Sequence, residues 1–111
     1  GDDGAKALAE LLISNPTIQY LSLVDCEIWG PGCHSLATGL AQMKGLTQLL
    51  VDGEMEDYAK EVLQSLGSNM TLRHLWTDRT AYLFHKDRTW RLVDFFLRLN
   101  RGKRRMLVEP G

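Results

Sequence analysis

The feature that most constrains this chain is a repeat of about 28 residues, carried by three short stretches. They are Ile18-Gln19-Tyr20-Leu21-Ser22-Leu23, Leu46-Thr47-Gln48-Leu49-Leu50-Val51 and Leu72-Arg73-His74-Leu75-Trp76-Thr77. Each has an aliphatic residue at its first and fourth positions. The first two have another at the sixth, where the third has Thr77. The step from Ile18 to Leu46 is 28 residues, and from Leu46 to Leu72 it is 26. The intervening segments match in a second register: Gly4, Leu8, Ala9 and Leu12 fall on Gly32, Leu36, Ala37 and Leu40. A third copy places Val62 and Leu66 in the leucine positions. Agreement in two registers argues against coincidence, and such a period governs how the rest of the chain is read.

The spacing carries a physical meaning. Apolar residues separated by three and four lie on one face of a helix. Apolar residues that alternate lie on one side of a strand. One strand-plus-helix unit cannot bury both of its apolar faces. Side-by-side stacking would bury them between a parallel sheet and a helix layer. Trp29-Gly30-Pro31-Gly32 and Asp52-Gly53-Glu54 read as the turns from strand to helix.

Ile18-x-x-Leu21-x-Leu23-x-x-Cys26-x-Ile28 resembles the leucine-rich-repeat consensus, with cysteine where that family has asparagine or cysteine. The glycine, alanine and leucine string from Gly1 to Leu12, with the near-28-residue period, is similar to the ribonuclease-inhibitor-like subclass. The resemblance covers residues 1–82 and weakens along them, with Glu54 and Thr80 at the cysteine/asparagine position and Glu56 and Tyr82 at the last aliphatic one. It implies an α/β solenoid with a short parallel sheet on a concave side and helices on a convex side. Residues 1–82 would be about three repeats, the first entered midway, at the C-terminal part of an array. It also implies a protein-binding scaffold. The alternative taken from the same relatives is a GTPase-activating or regulatory solenoid, although no motif specific to that activity occurs here.

Residues 83–111 depart from the period. Between Arg88 and Arg101, Trp90, Val93, Phe96 or Leu97, together with Leu92, Phe95 and Leu99, predict a helix with a broad apolar surface. Asp87 fits its N-cap and Gly102 its C-terminal stop. This helix is expected to cap the third repeat. Arg98, Arg101, Lys103, Arg104 and Arg105 form the one strongly basic cluster. It admits an electrostatic contact with nucleic acid or anionic lipid. Cations that complement a helix C-terminus and keep an apolar helix in water are the preferred reading.

A partner is expected on the outward-pointing strand residues. Tyr20, Gln48 and His74 would form one row across the strands, and Ser22, Leu50 and Trp76 the next. Val24, Asp52 and Asp78 would follow, then Asp25, Gly53 and Arg79. Tyrosine and tryptophan carry much of the binding energy at protein interfaces. Asp25, Asp52 and Asp78 would supply a negative edge suited to a basic partner.

Composition narrows the remaining classes. A formal net charge of −1 and 24% charged residues give no global electrostatic reason for nucleic-acid or membrane binding. No apolar run approaches the roughly 20 residues that span a bilayer. The chain begins without methionine and inside a repeat, so it is read as a piece of a longer polypeptide. The face around Ala5, Leu8 and Leu12 is then expected to be exposed and available for self-association. Cys26 and Cys33 read as buried thiols in a reducing, cytoplasmic setting. His34, His74 and His85 form no pair with metal-ligand spacing, and no phosphate-binding glycine loop occurs. The expectation is therefore a non-enzymatic module with no cofactor, no metal and no small-molecule substrate. Asn69-Met70-Thr71 is formally a glycosylation sequon.

Overall fold

In the computed structural model, residues 2–24, 26, 28, 30–51, 53–77, 83–85 and 87–102 are described. The elements run α1 (Asp2–Ser14), β1 (Tyr20–Ser22), α2 (Gly30–Gly39), a 3-10 turn (Leu40–Gln42), β2 (Gln48–Leu50), a 3-10 segment (Gly53–Tyr58), α3 (Ala59–Leu66), β3 (His74–Trp76) and α4 (Arg88–Arg101). The strands form one parallel sheet in the order β1-β2-β3. The helices pack in sequence order, α1 on α2, α2 on α3 and α3 on α4.

Each helix buries the face set by its apolar spacing. Ala5, Ala9 and Leu12 of α1, and Cys33, Leu36 and Ala37 of α2 continuing into Leu40, lie in the core. Val62 and Leu66 of α3 and Trp90, Val93 and Leu97 of α4 join them. Alanine at Ala5, Ala9 and Ala37 lets neighbouring helices approach closely. Pro31 sits in the first turn of α2, where its missing N–H costs no helical bond. Gly30, Pro31 and Gly32 therefore lie inside that helix and not in the expected turn. Below the helices, Leu46, Leu49, Val51, Leu72 and Leu75 turn inward from the strand layer.

The hydrogen bonds repeat with the sequence. The Gln19 carbonyl accepts from Thr47 N at 2.8 Å and Gln48 N at 3.0 Å, and one unit later the Thr47 carbonyl accepts from Arg73 N at 2.8 Å and His74 N at 3.1 Å. Leu23 N donates to Leu50 O, and Val51 N to Trp76 O. Between helices, the buried Ser65 hydroxyl donates to Ala37 O at 2.6 Å.

The expectation of a leucine-rich-repeat solenoid with concave and convex sides is corrected. What forms is a compact, helix-dominated α/β fold with a short three-stranded sheet that is not closed. The Cα radius of gyration is 13.3 Å, against about 13 Å for a compact globule of similar length. The physical reason is the strand length. Three residues per strand give only a short sheet, and the core is shared between that strand layer and the helices packed over it. The period also stops after β3, and α4 turns its buried face onto α3.

A second correction concerns the N-terminal face. Ala5 and Leu12 are only 3% and 2% exposed, and Leu8 is packed against the core. The helix turns that face onto α2, and Leu11 is the leucine of α1 left in solvent. Self-association through Ala5, Leu8 and Leu12 therefore has no exposed face to use. Cys26 departs from its expected buried position too, being exposed while Cys33 is buried.

The loop before β2 is tight against its neighbour. A Cβ at Gly45 would fall onto the Pro16 carbonyl, which is backbone and cannot rotate aside. Gly45→Ala is expected to destabilise the fold by about 1–3 kcal/mol, the usual range for forced overpacking. Urea unfolding followed by far-ultraviolet circular dichroism checks this, and an unchanged midpoint would show that the two loops separate freely.

Candidate functional site

The sheet register brings the outward strand residues into rows. Tyr20 pairs with Gln48 and Gln48 with His74, while Ser22 pairs with Leu50 and Leu50 with Trp76. Adjacent strands lie about 4.8 Å apart, so each row is a continuous strip of side chains. Tyr20 and Trp76 are 55% and 53% exposed. Gln48 and Ser22 are also exposed, whereas Leu50 and His74 are half-buried.

The strongest local feature is at β3. His74 and Trp76 are two residues apart and therefore on the same face. Their rings lie nearly parallel, 9° between planes and 6.1 Å between centroids. The indole is thus held by a neighbour while its outer side remains in solvent. Next to it lies a surface pocket of about 260 Å³, lined by His74, Leu75, Trp76, Phe84, Asp94, Leu97 and Arg101. Its floor is mainly apolar, with one carboxylate and one guanidinium among its walls. Sequence spacing identified His74 and Trp76 but not Phe84, Asp94 or Leu97. Those residues reach the site because α4 packs beside the third unit, and no periodic signal connects them to β3.

The acidic edge falls outside the described residues, since Asp25, Asp52 and Asp78 lie there together with Arg79. Val24 in the same row is 47% exposed. Of the basic cluster, Lys103, Arg104 and Arg105 also lie outside the described residues. Arg98 is bound to Asp94 at 3.0 Å, one helical turn away. Arg101 donates to the Arg73 carbonyl at 2.7 Å, tying the end of α4 to the loop before β3. Both described arginines of the cluster are therefore engaged within the chain.

The chemistry available on this face is aromatic contact and hydrogen bonding. His34 meets the Tyr58 ring edge-on, with centroids 6.3 Å apart, and the buried Cys33 thiol points at Ile28 O at 3.8 Å. His85 is exposed beyond the sheet. No three His, Cys, Asp or Glu among the described residues could hold a metal ion. No helix among them is long and apolar enough to cross a membrane.

The sequon is committed to the core. Asn69 is fully buried, with its amide nitrogen donating to Leu40 O at 2.7 Å and Met43 O at 3.1 Å. Its carbonyl oxygen accepts from Thr71 N and Leu72 N at 2.9 and 2.8 Å. A glycan on that nitrogen would take the place of one of its two hydrogens, losing one donation, and the buried site could not accommodate it.

No protein-family model matches this sequence, and no curated protein matches it either.

Proposed function

We propose that this chain is a protein-interaction module that binds a protein partner through its outward strand face. Tyr20, Ser22, Gln48, Leu50, His74 and Trp76 would make the contacts, with Asp52 and Asp78, which follow β2 and β3 in the sequence, adding negative charge. The observation that carries the reading is Trp76, more than half exposed yet stacked on His74 beside a mainly apolar pocket. An indole already held in place loses little side-chain entropy on binding, and tryptophan is enriched among residues that dominate interface energies. Isolated exposed apolar residues need no function. Here the indole, the imidazole and the pocket converge on one spot. The reading is non-enzymatic and involves no cofactor or small-molecule substrate. A cytoplasmic setting belongs to it, because the exposed Cys26 thiol is outside any disulfide and thiols persist in reducing compartments.

The test compares partner capture by the wild-type chain with capture by Trp76→Ala and by Arg104→Ala/Arg105→Ala. Trp76→Ala is expected to reduce retention of one specific protein by about thirtyfold, the equivalent of roughly 2 kcal/mol at a hot spot. Its effect on stability should stay within about 0.5 kcal/mol, as for most surface substitutions. Retention that survives Trp76→Ala but is lost in the arginine variant, with nucleic acid or anionic lipid as the lost material, would overturn the proposal. Faster GTP turnover by a captured partner would move the chain to a regulatory, activator-like role.

A further inference from the structure

The fourth helix has two apolar faces, and among the described residues the fold buries one. Trp90, Val93, Leu97 and Asn100 are buried. They follow the separations three, four and three that place residues along one side of a helix. On the other side Leu92 and Phe95 are 45% and 52% exposed. Leu99 continues their line, is only partly buried, and is absent from the side chains packed on the core. Phe95 is braced edge-on by Phe96, centroids 5.7 Å apart, and Phe96 itself packs on the core. By spacing alone these residues form one broad apolar surface. The fold divides them into a buried stripe and an outward seam.

The geometry of the seam restricts its occupant. Leu92, Phe95 and Leu99 are spaced three and four apart, the a-d-a spacing of a coiled-coil seam. In that register Arg91 and Arg98 both occupy g positions, beside the seam, where they would face e positions of a parallel partner helix. The helix as a whole carries four arginines against one aspartate, in a chain whose net charge is −1. An antiparallel second copy would set these arginines against each other across the seam, and a parallel one would offer them only Thr89 and Phe96, with no carboxylate, at its e positions. Binding to a lipid surface scales with the apolar area buried, and this seam offers only three side chains, one of them already partly buried. Acidic residues flanking an apolar stripe satisfy both the shape and the charge.

We propose that the outward seam of α4, Leu92, Phe95 and Leu99 with Arg91 and Arg98 beside it, docks an acidic amphipathic helix of a partner protein. Leu92, Phe95 and Leu99 lie outside the lining of the pocket beside Trp76, with Asp94 the neighbour common to both surfaces, so one module would engage two elements at once or bridge two partners. Arg98 is held toward its own helix by Asp94. Docking would exchange that exposed pair for contact with a partner carboxylate.

The test uses a fluorescent heptad peptide with leucine at a and d and glutamate at e and g, titrated against the whole chain and followed by anisotropy. Saturable binding is expected, weakened about tenfold or more by Phe95→Ser, a loss of roughly 1.4 kcal/mol. Arg91→Glu/Arg98→Glu should lose the glutamate peptide and gain its lysine counterpart. A purely apolar contact would not show that reversal. Trp76→Ala should bind the peptide like wild type, which separates this surface from the strand face. Three results would overturn the proposal: no saturable binding, equal binding of both peptides by wild type, or binding unaffected by Phe95→Ser. Preference for phosphatidylserine vesicles over the acidic peptide would assign the seam to a membrane and overturn it equally. Circular dichroism of Phe95→Ser confirms that an exposed substitution leaves the fold intact.

Discussion

Trp90→Ala is expected to destabilise the protein by about 3–5 kcal/mol, the range for deleting a large buried aromatic side chain. Trp90 is 1% exposed and is among the largest fully buried side chains. Its indole N–H donates to the Glu56 carbonyl at 3.1 Å, joining α4 to the 3-10 segment that leads into α3. Its ring lies 6.0 Å from that of Phe84. Alanine would leave a cavity, strand a carbonyl and remove the anchor at the start of α4. With total stabilities commonly about 5–15 kcal/mol, such a loss consumes much of what a small domain has. Trp90→Phe separates the contributions, because it keeps most of the burial and removes the hydrogen bond. It is expected to cost about 1–2 kcal/mol. Urea unfolding measures both, and a Trp90→Ala midpoint close to wild type would mean that α4 contributes little to the cooperative unit.

Asn69→Leu is the second large effect, expected at about 2–4 kcal/mol. Leucine has asparagine's branched skeleton but is bulkier, so the loss would combine unpaired polar groups with some overpacking. Four backbone partners meet this side chain: two carbonyls from the preceding unit and two N–H groups of its own turn. Each buried group left without a partner costs on the order of 1–3 kcal/mol. Some relief comes from Thr71, whose hydroxyl also donates to Met43 O at 3.2 Å. Asn69→Asp should destabilise as well, since a carboxylate would face the Leu40 and Met43 carbonyls with no proton to donate. A hydrophobic replacement that left the unfolding midpoint unchanged would sink this account.

Asn100 performs part of the same task one unit later. Its amide donates to Asn69 O at 3.1 Å and Leu72 O at 2.8 Å, and it is 1% exposed. The two asparagines therefore link consecutive units through carbonyls that a helix-and-strand pattern alone would leave bare. The sequence shows Asn69 as half of a sequon and Asn100 as a polar residue in an apolar helix. Neither shows its role until the carbonyls that surround it are in place.

The periodic residues were legible for a simple reason. Helical three-and-four spacing and strand alternation are local geometry, and they determine which side of each element is apolar. Leu36, Leu40, Val62 and Leu66 lie in the core as that spacing requires, and Asp87 caps α4 by accepting from Thr89 N and Trp90 N at 2.8 and 3.2 Å. The strand register, Tyr20 with Gln48 with His74, also follows from the period. The solenoid did not follow. Overall shape depends on how long each strand is and on what covers the last unit, and both are set by contacts distant in the chain.

The interaction surface divides along the same line. The sequence by itself determined that Trp76 and His74 share a face and that α4 is amphipathic, because both depend only on the geometry of one element. Tertiary structure alone decided that Phe84, Asp94 and Leu97 close a pocket beside Trp76. It also decided that Ala5 and Leu12 are covered by α2, and that Leu92 and Phe95 remain outside while Trp90 and Val93 go in. An apolar stripe states that it can be buried. Which stripe is buried depends on the neighbour that arrives, since burial requires a partner surface and the sequence of one element does not contain it.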